Sequence, residues 1–204
     1  MGILQGLREY LDTNYEVSVF EQAMVSGKPW EFRLHGSRTL TAAITENRKW
    51  DMTLDPGAGG KEELQKIQVK FLFPAEWSEQ VGPLIKTDKK IAALRLDPIL
   101  APGKRFFVKN KSLYPLMIDR EVLLFTLLEG ETIRGIVTDF SRYDITINLK
   151  GGLPVTILRH SIYDLRNKKG RSFLKSFQEE HRDWERSPLF VPEVSGTERQ
   201  VKSL

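Results

Sequence analysis

The chain has 204 residues, 40% of them apolar and 28% charged, and carries a net charge of +4 at neutral pH. That balance supports a packed core in one medium domain or two small ones, and it leans mildly toward polyanionic partners without a charge run that would demand one. There is no cysteine, which excludes disulfide scaffolds, thiolate zinc sites and cysteine nucleophiles.

At the N-terminus, MGILQGLREYLD sets acidic residues close behind a very short apolar stretch, unlike a secretory signal. Gly6 stands where a myristoylation signal needs Ser or Thr. No apolar run approaches the roughly 20 residues of a membrane span, so a soluble, cytoplasmic protein is expected. YEVSVFEQAMVSG (15–27) has helical spacing, and WEFRL (30–34) and TLTAAIT (39–45) read as strands. Trp50, Met52 and Leu54 then alternate with Asp51, Thr53 and Asp55, the pattern of a strand with one buried face. The Gly-rich loop DPGAGGKEE (55–63) is expected to be flexible, and KIQVKFLF (66–73) reads as one long strand.

A connector over 75–111 contains Pro83, Pro98 and Pro102, yet its IAALRLDPIL segment is apolar enough to be structured. SLYPLMIDREV (112–122) reads as a less regular helix with Pro115 in its first turn. LLFTL (123–127) and TIRGIVT (132–138) are strand-like, and Tyr143, Ile145, Ile147 and Leu149 alternate with Asp144, Thr146 and Asn148. VTILRHSI (155–162) reads as a last long strand. After it come a basic stretch (166–175), a helix running through Trp184, and a loose tail from Ser187.

The two halves repeat. At an offset of 93, residues 24–54 align without a gap on 117–147: Met24 meets Met117, Phe32 meets Phe125, Thr45 meets Thr138 and Asp51 meets Asp144. Lys49 meets Arg142 and Trp50 meets Tyr143. The last strands, 66–73 and 155–162, pair at an offset of 89, which implies a longer preceding loop in the first copy. The organisation is therefore a first unit over 14–74, the connector, a second unit over 112–166, and a basic helix with a tail over 167–204.

Gly130, Gly135, Phe140 and Tyr143, followed by Arg159, His160, Ser161 and Ile162, resemble the two signatures of bacterial Hfq-type Sm-like proteins, with Arg159 where that family has Lys. The second unit carries the match directly, the first only through the second. The resemblance implies a mostly β chain of two tandem Sm-like small bent-sheet barrels, each with an N-terminal helix, plus a C-terminal helix and tail. It implies non-catalytic binding of single-stranded RNA, uridine-rich by preference, with no cofactor. Tyr143 would stack on a base, Arg159 and His160 would contact its edge and phosphate, and Arg142 would add a neighbouring cation. In the first unit Trp50, Lys49 and Lys70 would take the places of Tyr143, Arg142 and Arg159. Phe71 would replace His160 and loosen base reading. Thr126 stands where the family's adenine-binding surface uses Tyr, which argues against adenine-rich binding. Edge-to-edge strand pairing would make a homo-oligomer, three chains closing a pseudo-hexameric ring, unless the long connector caps an edge and holds the chain at monomer.

Other readings stand beside these. Tyr143 and Trp50 are in phase with buried positions and read equally as core. Arg159 and Lys70 also read as surface charges, and the basic stretch 166–175 as a solvated face or an RNA-guiding arm. His35, His160 and His181 share no metal-ligand spacing, and DPGAGGKEE lacks the G-K-[ST] of a phosphate loop. VTDFSRYDITINL also resembles the strand signature of PilZ cyclic-dinucleotide receptors through Asp139 and Ser141. Asp144 replaces that signature's Gly, and only Lys104 and Arg105 answer its upstream arginines. An assembly scaffold without RNA binding is the third reading.

Overall fold

The structure, a computed structural model, describes residues 2–57 and 60–193. A short strand β1 (Ile3–Leu4) precedes helix α1 (Leu7–Asn14). The first unit follows as α2 (Val19–Ser26), β2 (Trp30–Leu34), β3 (Arg38–Asn47), β4 (Asp51–Asp55), β5 (Glu62–Gln65) and β6 (Val69–Pro74). The connector contains α3 (Ser78–Val81), β7 (Lys86–Thr87) and α4 (Lys89–Ala92). The second unit is α5 (Asn110–Ile118), β8 (Val122–Leu127), β9 (Glu131–Phe140), β10 (Asp144–Asn148), β11 (Pro154–Leu158) and β12 (Ile162–Asn167). Helix α6 (Lys175–His181) and β13 (Phe190–Val191) end the described chain. No helix among the described residues is long and apolar enough to cross a membrane.

The chain is mostly β, as expected, but its strands do not close into two barrels. They form one open antiparallel sheet in the order β12-β8-β9-β10-β11-β6-β2-β3-β4-β5, with β7 added beside β9. Within that path each unit repeats one order, β6-β2-β3-β4-β5 and β12-β8-β9-β10-β11. The units meet where β11 pairs with β6, Thr156 opposite Leu72 and Ile157 opposite Phe71.

The long second strand of each unit serves two neighbours. β3 pairs with β2 through Arg38–Ala42 and with β4 beyond it, and β9 divides in the same way between β8 and β10. Small residues, Ala42 and Gly135, stand where each long strand passes from one neighbour to the other. A Cβ on Gly135 would lie 2.8 Å from the Asn148 carbonyl oxygen, so the close approach of β9 to β10 requires glycine.

Two apolar clusters form the core. Phe20 and Ala23 of α2 pack on Phe32, Leu34, Ile44, Met52, Leu54 and Leu72 in the first unit. The larger second cluster gathers Phe125, Ile133, Phe140, Ile145 and Ile147, with Leu7, Val108, Phe173 and Trp184 from outside the unit. Strand β6 joins them: Leu72 faces the first cluster while Phe71 and Phe73 face the second. Burial on both faces explains why its sequence shows no alternation.

Several expectations need correction. KIQVKFLF and VTILRHSI are not matching strands. Lys66–Gln68 is a 3-10 turn before β6, and Arg159–Ser161 is a 3-10 turn between β11 and β12. Leu64 and Ile157 sit opposite Met52 and Ile145 in equivalent registers, so the offset of 93 continues and the loop before β5 is not longer. The centre of that Gly-rich loop, 58–59, lies outside the described residues. Pro115 lies inside α5, because the helix begins at Asn110, before the first apolar residue suggests it. Helix α1 was not foreseen. The tail from Ser187 is not loose at first, since Phe190 and Val191 pair with Leu4 and Ile3; residues 194–204 lie outside the description.

Candidate nucleic-acid interface

Equivalent turns join the second and third strands of each unit. The Arg48 amide donates to the Asp51 carbonyl at 2.9 Å, and the Ser141 amide to the Asp144 carbonyl at 3.0 Å. The 3-10 turns anchor both from behind, the Lys66 amide donating to the Trp50 carbonyl and the Arg159 amide to the Tyr143 carbonyl, each at 2.9 Å. With their carbonyls so held, the aromatic side chains stand one step beyond the buried alternation and project outward. Trp50 is 70% exposed and Tyr143 52%, so neither is core. A cation covers each ring: Lys49 Nζ lies 5.1 Å from the Trp50 centroid and the Arg142 guanidinium 5.5 Å from that of Tyr143.

Arg159 and His160 do not join this surface. Arg159 is only 8% exposed. Its Nη1 donates to the Val108 carbonyl at 3.1 Å, its Nη2 to Asn110 Oδ1 at 2.9 Å, and its guanidinium lies 5.6 Å from the Phe140 ring centre. Burial pushes its pKa down to about 10, so it stays charged at neutral pH. His160 Nε2 lies 2.9 Å from the Val69 carbonyl of the other unit. A carbonyl only accepts, so Nε2 carries the proton. Burial pushes this imidazole down to about 4, which leaves it neutral.

Lys70 is also internal, 1% exposed, with its ammonium against Glu129 and Glu131 of the second unit. Burial raises the Glu129 carboxyl, but Lys70 and the Gly36 amide outweigh that effect and hold it below its ordinary value. His35, 3.5 Å from Glu129, is lowered by burial. With the offset of 93 restored, the counterpart of Arg159 is Lys66 and that of His160 is Ile67. Lys66 Nζ donates to the Arg48 carbonyl and sits 5.5 Å from the Phe20 ring centre.

The sequence reading missed the contribution of α1. The Tyr10 hydroxyl meets Asp139 and accepts from the Phe140 amide at 2.7 Å. The Arg142 amide donates to the Tyr15 carbonyl at 2.8 Å, and Arg142 Nη1 lies 3.5 Å from Glu16. The spacing of Leu7, Tyr10, Leu11 and Asn14 was the available signal, one face of a helix. Asp139 and Ser141, the PilZ-like pair, are spent here: Asp139 on Tyr10, and Ser141 donating to Asp144 Oδ1 at 2.8 Å. Arg105 folds onto its own loop, donating to the Ile99 and Leu100 carbonyls. In the basic stretch Arg166, Arg171 and Lys175 have acidic partners in Asp164, Asp183 and Glu179.

Compared with protein-family models, curated proteins and solved structures, the chain gives no match.

Proposed function

We propose that the chain binds single-stranded RNA on its two aromatic turns, as a tandem Sm-like protein of the Hfq kind. The observation that carries this reading is the pair Trp50 with Lys49 and Tyr143 with Arg142, exposed on equivalent turns of the two units. An exposed aromatic face stacks on any base, worth about 1–3 kcal/mol, while an adjacent cation tracks the phosphates. The Sm-like reading is supported by the repeated strand order, the helix before each unit, and the 3-10 turn between the fourth and fifth strands. It is supported too by the meeting of β11 with β6, a pairing that the resemblance implies between subunits and that here runs within one chain.

Arg159 and His160 are spent inside the fold, on Val108 and Asn110 and on Val69, so recognition of a base edge is weaker than the resemblance implies. Binding is then driven by stacking and charge, with uridine favoured only modestly. The test is fluorescence anisotropy with oligo-uridine, oligo-adenine and mixed RNA across a salt series. The wild type should bind, lose affinity as salt rises, and lose nearly all of it in a Trp50→Ala, Tyr143→Ala double variant. No binding to any of the three RNAs sinks the proposal and turns attention to cyclic dinucleotides and to a scaffold role.

A further inference from the structure

The inner junction can be compared with the one that a second molecule would have to make. At the offset of 93, an outer junction would set β5 of one molecule on β12 of another, with Glu63 opposite Leu165 and Leu64 opposite Asp164. On β12 that place is taken. The Phe173 amide donates to the Leu165 carbonyl at 2.9 Å and the Asn167 amide to the Arg171 carbonyl at 3.1 Å. Between these bonds Arg166 faces Ser172 as an antiparallel bridge. Leu165 is the counterpart of Leu72, the residue that faces Thr156 at the inner junction.

The covering segment is fixed to the core. Phe173 and Trp184 are buried in the second cluster. Arg171 holds Asp183 through two contacts of 2.5 Å, and Gln178 donates to the Ser172 carbonyl at 2.9 Å. The Lys175 amide donates to the Phe107 carbonyl at 2.6 Å. This segment lies along the edge of β12, held by the isolated bridge at Ser172 and the two amide bonds that flank it.

The fastenings of the inner junction also fail to recur. There, Lys70 meets Glu129 and Glu131, Ser161 Oγ donates to the Lys70 carbonyl at 2.8 Å, and His160 reaches the Val69 carbonyl. The counterparts are Tyr163 for Lys70, Gly36 and Arg38 for the two glutamates, and Gln68 and Ile67 for Ser161 and His160. Tyrosine against glycine and arginine restores no ion pair, and isoleucine has nothing to donate. At the far end, β5 is flanked by Arg38 on Glu62 at 2.5 Å and Arg48 on Glu63 at 2.8 Å, charges that discourage edge pairing.

We infer that the segment 171–173, bridged to β12 at Ser172, closes the β12 edge against β5 of a second copy, so the two-unit sheet terminates itself and does not run on into a three-chain ring. This rests on strand register and is independent of what the chain binds.

The test uses the absence of native cysteine. Arg166 and Ser172 form a non-hydrogen-bonded antiparallel pair, whose Cα atoms stand about 4.5 Å apart, within disulfide range. An Arg166→Cys, Ser172→Cys variant should oxidise to an intrachain disulfide. Its mass by light scattering should equal that of the wild type and stay unchanged on reduction. In the wild type, the Phe173 amide should be protected from hydrogen exchange like a strand amide. Three results overturn the inference: disulfides between chains, a Phe173 amide exchanging at loop rates, or an assembly of several 23.5 kDa chains that falls to one chain when locked.

Discussion

The two units share a backbone plan and differ in what leans against it. In the first, the Arg48–Trp50 turn stands in solvent with Lys66 tucked behind it. In the second, α1 and the connector press on the matching turn. Tyr10 and Tyr15 bond its backbone, and Arg159 is captured by Val108 and Asn110. The amide bonds from Lys66 and Arg159 to the aromatic turn are the same in both units. Backbone bonds therefore carry the repeat, while a basic side chain at one position becomes a surface strut or a buried clasp according to its neighbours.

The largest effect should separate Lys70 from Lys66, the two lysines that compete as counterparts of Arg159. Lys70→Met strands Glu129 and Glu131 around an apolar chain, and breaking a buried pair in this way costs about 3–5 kcal/mol. Lys66→Met removes one hydrogen bond to the Arg48 carbonyl and the cation over the Phe20 ring, and should cost only about 1–2 kcal/mol. Chemical denaturation measures both. Equal losses would place Lys70 outside any buried network.

Next comes acid sensitivity, which only the second unit's 3-10 turn carries, since the first has Ile67 where the second has His160. The folded pKa of His160, pushed down by burial to about 4 from 6.5, lies below its unfolded value, so the unfolded chain binds the extra proton. Its stabilising contribution is therefore complete above pH 6.5 and is lost as pH falls toward 4, about 3 kcal/mol in all. His35, also lowered by burial, acts in the same sense. Asp144, raised by burial, acts in the opposite one. The readout is the difference between wild type and His160→Gln, whose amide keeps a donor for Val69. If the two stability curves run parallel from pH 7 to 4, His160 is not the group that titrates.

Much of this was legible in the sequence. Alternation marked β4 and β10, and the match of residues 24–54 to 117–147 set the offset. The exposed aromatic and its cation lay inside that match. The illegible parts share a physical cause. β6 is buried on both faces, so KIQVKFLF gave no period from which to read its register, and the turn inside it passed for strand. That slip assigned Arg159's role to Lys70. The burial of Arg159 and His160 depends on α1, Asn110 and Val69, which are distant in the chain, and no local pattern reports such contacts. The closed β12 edge was hidden for the same reason, since Ser172 meets Arg166 only after the basic stretch folds back.

Smaller effects concern binding. Trp50→Ala and Tyr143→Ala should each cost RNA affinity about 1–3 kcal/mol, roughly 5- to 150-fold in Kd. Trp50 should cost at least as much, because its ring is larger, more exposed and free of the contacts that α1 makes to the second turn. Anisotropy titrations of the two single variants decide the order. A loss confined to Tyr143→Ala would mean that the first unit serves only to build the sheet.

The smallest effect isolates Glu16, the acidic residue that the turn after α1 sets beside Arg142. Arg142 Nη1 lies 3.5 Å from Glu16, and both side chains are largely exposed. A pair in high dielectric is worth under about 1 kcal/mol, yet on the proposed reading it would compete with an RNA phosphate for the same guanidinium. Glu16→Ala should therefore tighten RNA binding by a factor of a few at low salt. The gain should vanish as salt rises and the Debye length shrinks toward the length of the pair. Arg142→Ala should remove it altogether and lower the salt slope by about one phosphate contact. If Glu16→Ala tightens binding equally in an Arg142→Ala background, the carboxylate acts through the general field of the protein, and Arg142 is not the contact it restrains.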